Sequence, residues 1–194
     1  MAEQITVYGF ETSNNMKVRI ALKHKGIPFT FESIDPADRG EIERLSGQPL
    51  TPVMVHGSSV LFDSAAILRY LDANFPETPR LFAGSRERIW EIEEWEGFAR
   101  HELAAAMKMM LPLRLAGEED AEVAAHAQEL FEEATAKLEA RLAEREWLMG
   151  DEITAADITA APVVYRTEKA GFATLPDGRV QTRAWMDRVM AFDV

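Results

Sequence analysis

The chain has 194 residues, 47% hydrophobic and 28% charged, a composition that suits an ordinary globular protein with either one sizeable core or two small ones. Its 33 acidic residues outnumber 21 basic ones for a net charge of -12 with no basic cluster, which argues against binding a nucleic-acid backbone. Cysteine is absent, which excludes disulfides, thiolate metal sites and a protein-thiol nucleophile, so any sulfur chemistry must come from a ligand.

No apolar run approaches the ~18 to 20 residues that span a bilayer, and Met1 to Phe10 lacks the basic-then-apolar order of a signal peptide. A cytoplasmic protein, with no nucleic-acid or membrane partner, is expected.

In chain order, the alternation of Gln4-Ile5-Thr6-Val7-Tyr8 predicts a half-buried strand. A helix follows over Asn15 to Lys25, stopped by Gly26-Ile27-Pro28, and a second strand over Phe29 to Ile34. A short helix near Glu41 to Leu45 precedes two strands, Val53-Met54-Val55 and Val60-Leu61-Phe62, joined as a hairpin by His56-Gly57-Ser58-Ser59. A helix over Ser64 to Asn74 completes a βαβαββα order, that is, a small mixed sheet with helices on its faces.

The turn-rich Pro76 to Gly84 stretch then marks a change of period. Ile92, Trp95, Ala99, Leu103, Ala106, Met110 and Leu113 step by three and four, predicting one long helix that Pro112 ends or kinks. Ala127, Phe131, Ala134, Leu138 and Leu142 predict a second long helix, with further helices over Thr154 to Lys169 and Val180 to Ala191. The expected organisation is an α/β domain at residues 1–77, a linker at 78–85 and an all-α domain at 86–194.

Three stretches carry chemistry. Pro52 stands directly before a strand, where it is either an ordinary strand-start proline or a cis proline that aims the main chain of Val53 at an extended peptide ligand. Asp63-Ser64 lies at a strand-to-helix junction, where it either caps the helix or holds the charged end of an α-amino acid. Taken alone, each stretch favours the plainer reading. Thr154, with Asp157 three residues on, forms a capping-box variant flanked by Ile153 and Ile158 as a hydrophobic staple, and its role is structural.

The proline-strand element, Asp63-Ser64-Ala65-Ala66-Ile67 and the Gly150/Thr154/Asp157 box together resemble the cytosolic glutathione S-transferases of bacterial type. The resemblance covers essentially the whole chain and implies an α/β thioredoxin-like N-terminal domain (βαβαββα) plus an all-α C-terminal helical domain. It also implies conjugation of glutathione, a co-substrate, to small hydrophobic electrophiles, by a homodimer that requires no metal. On this resemblance the peptide reading of Pro52 and Val53 and the ligand reading of Asp63 and Ser64 prevail, with Gln48 and Arg39 for the glycine carboxylate.

The thiol-facing turn would be Thr12-Ser13-Asn14-Asn15. Many relatives place Ser or Cys where this chain has Asn15, so the stretch looks instead like relatives with a Thr/Ser-x-Asn arrangement. That match makes Thr12 and Asn14 the leading donors to sulfur, with Tyr8 third; Ser13 or Asn15 would cap the helix. Phe10, Trp95, Phe98, His101, Glu102, Met107 and Met109 are the candidates for the electrophile pocket. Two other functions remain open on the sequence: glutathione-dependent disulfide or peroxide reduction, and non-catalytic glutathione binding in a ligandin or regulatory protein.

Overall fold

The computed structural model describes residues 4–193. These form two compact units, one running to Phe82 and taking in Phe192 and Asp193, the other Ala83–Ala191.

The first unit contains β1 (Ile5–Gly9), α1 (Ser13–His24), β2 (Phe29–Ser33), α2 (Gly40–Ser46), β3 (Val53–His56), β4 (Ser59–Leu61) and α3 (Ser64–Asn74). The sheet order is β2-β1-β3-β4, with β1 parallel to β2 and antiparallel to β3. Paired His56 and Ser59 leave a two-residue hairpin loop, Gly57-Ser58, in which Gly57 takes a φ of 58° that a residue with a Cβ adopts less readily. Ile5, Val7, Met16, Ile20, Met54, Ile67, Leu68 and Leu71 are buried and form its core. Helix α1 starts two residues earlier than its apolar pattern predicts, because Thr12 supplies the cap. Phe62 falls outside β4 and is half exposed.

Phe192 and Asp193 pack on this unit. Arg19 donates from Nε and Nη2 to the two carboxylate oxygens of Asp193, and from Nη1 to Glu11, while His24 meets the edge of Phe192.

The helical unit contains α4 (Arg86–Phe98), α5 (Ala105–Ala116), α6 (Ala121–Leu142), α7 (Ala155–Lys169) and α8 (Val180–Met190). The long helix expected to break at Pro112 is interrupted earlier, by a π-helical turn at Ala99–Leu103. Pro112 lies inside α5, which continues to Ala116 and closes on Gly117 at φ 68°. Both Pro112 and Lys108, whose carbonyl the proline leaves without a helical donor, are on the solvent side, where that loss is tolerated. The stripe survives the interruption: Ile92, Ala99, Leu103 and Ala106 are all buried.

Ala127, Phe131, Ala134, Leu138 and Leu142 of α6 are buried, and α7 is buried on every side from Ala155 to Val164. At the start of α7, Asp157 Oδ2 accepts from the Thr154 amide and hydroxyl, while Oδ1 accepts from the Leu148 amide and the Trp185 indole. One carboxylate thus joins the preceding loop, α7 and α8.

Candidate functional site

Three segments of the first unit converge at the N-terminus of α1. Thr12 is the cap: its Oγ1 accepts from the Asn15 amide N–H at 3.3 Å and from Asn15 Nδ2 at 2.7 Å. The cap therefore falls on Thr12, not on Ser13 or Asn15. Asn15 is buried inside the turn, and its Nδ2 also donates to Thr51 Oγ1 at 3.0 Å. That ties the turn to the Thr51-Pro52 bond, which is cis. The first turn of α1 carries no acidic residue, so the positive end of its dipole is uncompensated.

Val53 pairs with Tyr8 on one side. On the other, β4 ends at Leu61 opposite Met54, so Val53 extends one residue past its neighbour. An extended ligand has a free strand edge there.

At the start of α3, Asp63 caps the helix through Oδ1, which accepts from the Ala66 amide at 2.8 Å; the side chain is exposed. Ser64 Oγ donates to Asn14 Oδ1 over a long 3.4 Å. That contact brings the α1 and α3 N-termini together and leaves the Asn14 amide protons directed elsewhere.

The remaining residues sort by geometry. Arg39 stacks its guanidinium on the Phe10 ring, 4.5 Å from the centroid, which uses the ring face and leaves the N–H donors in the plane available. Gln48 turns back on its own loop: Nε2 donates to Ser46 Oγ and the Leu50 carbonyl, and Oε1 accepts from the Leu50 amide. Both amide protons are used in bracing the loop, so neither is left for a ligand carboxylate. Tyr8 points away from the turn. Gly9 faces Asn15, since a Cβ there would lie 1.7 Å from Asn15 Oδ1, and successive side chains of a strand point to opposite faces. Tyr8 therefore lies on the other face of the sheet from the Thr12–Asn15 turn.

Within the helical unit, Phe98 and Glu102 line a shallow groove of about 290 Å³ with Trp95, Lys137 and Arg141. Trp95 and Phe98 meet edge to face, Lys137 pairs with Glu102 and lies over Phe98, and Arg141 lies over Trp95. His101 is exposed on the π-helical turn and does not line this groove. Phe10 belongs to the first unit with Arg39.

Sequence reasoning read Asn15 only as a possible helix cap and gave Thr51 and Gly9 no side-chain or packing role. The available signal was a polar residue on one helix face with the buried positions Val18 and Leu22 of α1, but its partner Thr51 lies 36 residues away.

A four-stranded mixed sheet with a cis proline before β3, followed in the same chain by an all-helical unit, defines the thioredoxin-like plus all-α class. Comparison with known families agrees. The family model for the glutathione S-transferase N-terminal domain matches residues 7–79, and that for the C-terminal domain matches residues 101–193. The chain belongs to the cytosolic glutathione S-transferase superfamily and is a glutathione transferase.

Among its relatives, glutathione S-transferase F10 of Arabidopsis thaliana is 26% identical over 95% of this chain and 91% of the relative. GstB of Escherichia coli K12 is 29% identical over 91% of this chain and 89% of the relative. A glutathione S-transferase structure from Rhodospirillum rubrum aligns with a TM-score of 0.85 at 22% identity, covering 97% of this chain and 88% of the other. A family member from Pseudomonas fluorescens with two glutathione molecules bound aligns at 0.80 and 21% identity, covering 97% and 89%. At these identities the two structures bear on the fold alone.

Proposed function

We propose that this chain conjugates the glutathione thiolate to small hydrophobic electrophiles, with Thr12 as the principal donor to sulfur. The observation that carries the reading is the bonding of Thr12 Oγ1, which accepts two N–H groups of Asn15 and so keeps its own proton to donate. A free thiol of pKa ~8.5 is mostly protonated at neutral pH. A hydroxyl donor and an uncompensated helix N-terminus both favour the thiolate, with Asn14 Nδ2 as a second donor. The thiol proton leaves to solvent; the sulfur lone pair then forms the carbon–sulfur bond as the leaving group departs or the electrophile's π-electrons shift.

The rest of the tripeptide follows the same frame. Its cysteinyl main chain pairs with the open edge of Val53 behind cis Pro52, its ammonium group meets the free oxygen of Asp63, and its γ-glutamyl carboxylate meets Ser64 and the α3 N-terminus. Arg39 serves the glycine carboxylate from its seat on Phe10. On this reading the helical unit supplies the apolar wall for the electrophile, with residues 78–85 as the linker. Phe98, His101 and Glu102 are our candidates in that unit, and Phe10 is our candidate in the first unit. The protein is a cytoplasmic homodimer on the same reading.

Thr12→Val should raise the pKa of the bound thiol by about one unit and cut conjugation of a generic aryl halide by up to about tenfold at neutral pH. Ultraviolet titration of the thiolate in the complex reads the first effect directly. Tyr8→Phe should leave it unchanged, and a shift seen only in that variant would overturn the assignment. Glutathione bound with no thiol shift in the wild-type protein would instead mark a non-catalytic binder.

Asp63→Asn keeps the helix cap but removes the charge, so it isolates the ammonium contact. Loss of one charge-assisted hydrogen bond should weaken glutathione about 10- to 100-fold. Titration calorimetry measures it, and unchanged affinity would remove Asp63 from the site.

A further inference from the structure

We propose that Asn15 is a positioning residue that fixes the direction of the Thr12 hydroxyl, an inference that rests on Thr12 being the donor to sulfur. Asn15 is fully buried, and its Nδ2 has two hydroxyl acceptors, Thr12 Oγ1 at 2.7 Å and Thr51 Oγ1 at 3.0 Å. A hydroxyl serves as donor or acceptor according to its rotor, so a bridging amide imposes the choice. With the NH₂ end toward both threonines, each hydroxyl accepts inside the turn and turns its proton outward. With the amide reversed, the carbonyl oxygen would take the Thr12 proton and leave the sulfur without it.

The other end of the amide decides between the two. Asn15 Oδ1 is buried without a hydrogen-bond partner and occupies the space where a Cβ of residue 9 would stand. Residue 9 is glycine, and its Cα–H group is a weak donor that suits an oxygen and not an NH₂. Gly9 thereby admits the Asn15 side chain and selects its orientation, Asn15 orients Thr12, and the bond to Thr51 locks the turn to the cis proline. Asn15 acts through Thr12 and does not touch the sulfur.

A double-mutant cycle on the intact protein tests this, with ultraviolet titration of bound glutathione as the readout and calorimetry to verify binding. Asn15→Asp keeps the shape but replaces the donor with an acceptor for the Thr12 proton. It should raise the bound thiol's pKa by at least the amount that Thr12→Val does, about one unit. In the Thr12→Val background the orienting effect has nothing to act on, so Asn15→Asp should then add little. A purely electrostatic effect of the new carboxylate would persist there and would overturn the proposal. Asn15→Ala supplies the uncharged comparison: it should raise the thiol pKa in the wild-type background and not in Thr12→Val. A shift with Thr12→Val but none with either Asn15 variant would sink the inference alone. No shift with Thr12→Val would sink the reading beneath it.

Discussion

Replacing Asp157 with alanine is expected to cost about 3–5 kcal/mol of unfolding free energy, the range for breaking a fully buried charged network. Asp157 is completely buried and accepts from Leu148 N, Thr154 N, Thr154 Oγ1 and Trp185 Nε1, all between 2.8 and 3.1 Å. Burial pushes its pKa up against the pull of these donors. Truncation strands two main-chain amides and an indole in an apolar interior, and each unsatisfied donor costs about 1–3 kcal/mol. Thr154→Ala removes only the cap hydroxyl and should cost about 1 kcal/mol. Asp157→Asn keeps an acceptor oxygen but turns an NH₂ toward a donor, and it should fall between the two. Urea unfolding of the three variants gives the order. A loss below about 1 kcal/mol for Asp157→Ala would show that the loop before α7 re-forms without the carboxylate.

The sequence pattern led to much of this architecture because most of its signals are local. The alternation in β1, the proline before β3 and the stripes of α4 to α6 each depend on a few neighbouring residues and on what a helix or strand does with them. The site was less legible where distant residues decide a side chain's task. Asn15 reads as one polar residue among four until Thr51 is brought within 3.0 Å of it. The position of Tyr8 at the strand end was readable, but the face it takes depends on Gly9 being the residue that meets Asn15. Gln48 has the right chemistry for a carboxylate, yet a loop of five residues is enough to consume both its amide protons.

In the helical unit, the rule that proline stops a helix gave way to Pro112 lying on an exposed face, while the π-helical turn at Ala99–Leu103 has no breaker residue to announce it. The return of Phe192 and Asp193 to α1 is equally long-range, since Arg19 and Asp193 are 174 positions apart.

Asp72→Ala should destabilise the first unit by about 3–5 kcal/mol, because it leaves a buried ammonium without its counter-ion. Lys25 Nζ, fully shielded from solvent, donates to Asp72 Oδ1 at 2.9 Å and to the Pro79 carbonyl at 2.8 Å. Asp72 also accepts from Arg80 Nε and from the amides of Leu81 and Phe82. Burial alone would raise its pKa, but the Leu81 amide, Lys25, the Phe82 amide and Arg80 together hold it below the ordinary aspartate value. The sign of the pH effect follows: a carboxyl depressed in the fold adds stability that is complete above its unfolded pKa of 3.8 and lost as pH falls through the lower folded value. Wild-type protein should therefore lose this contribution only in acid below about pH 4, while Asp72→Asn should lack that part of the acid dependence. Urea unfolding at a series of pH values measures it. Because the same carboxylate holds the amides of Leu81 and Phe82, their hydrogen exchange should quicken in Asp72→Asn more than that of the core amides of β1. Uniform acceleration across the unit would instead assign the pair to global stability, with no special hold on the segment that leaves α3.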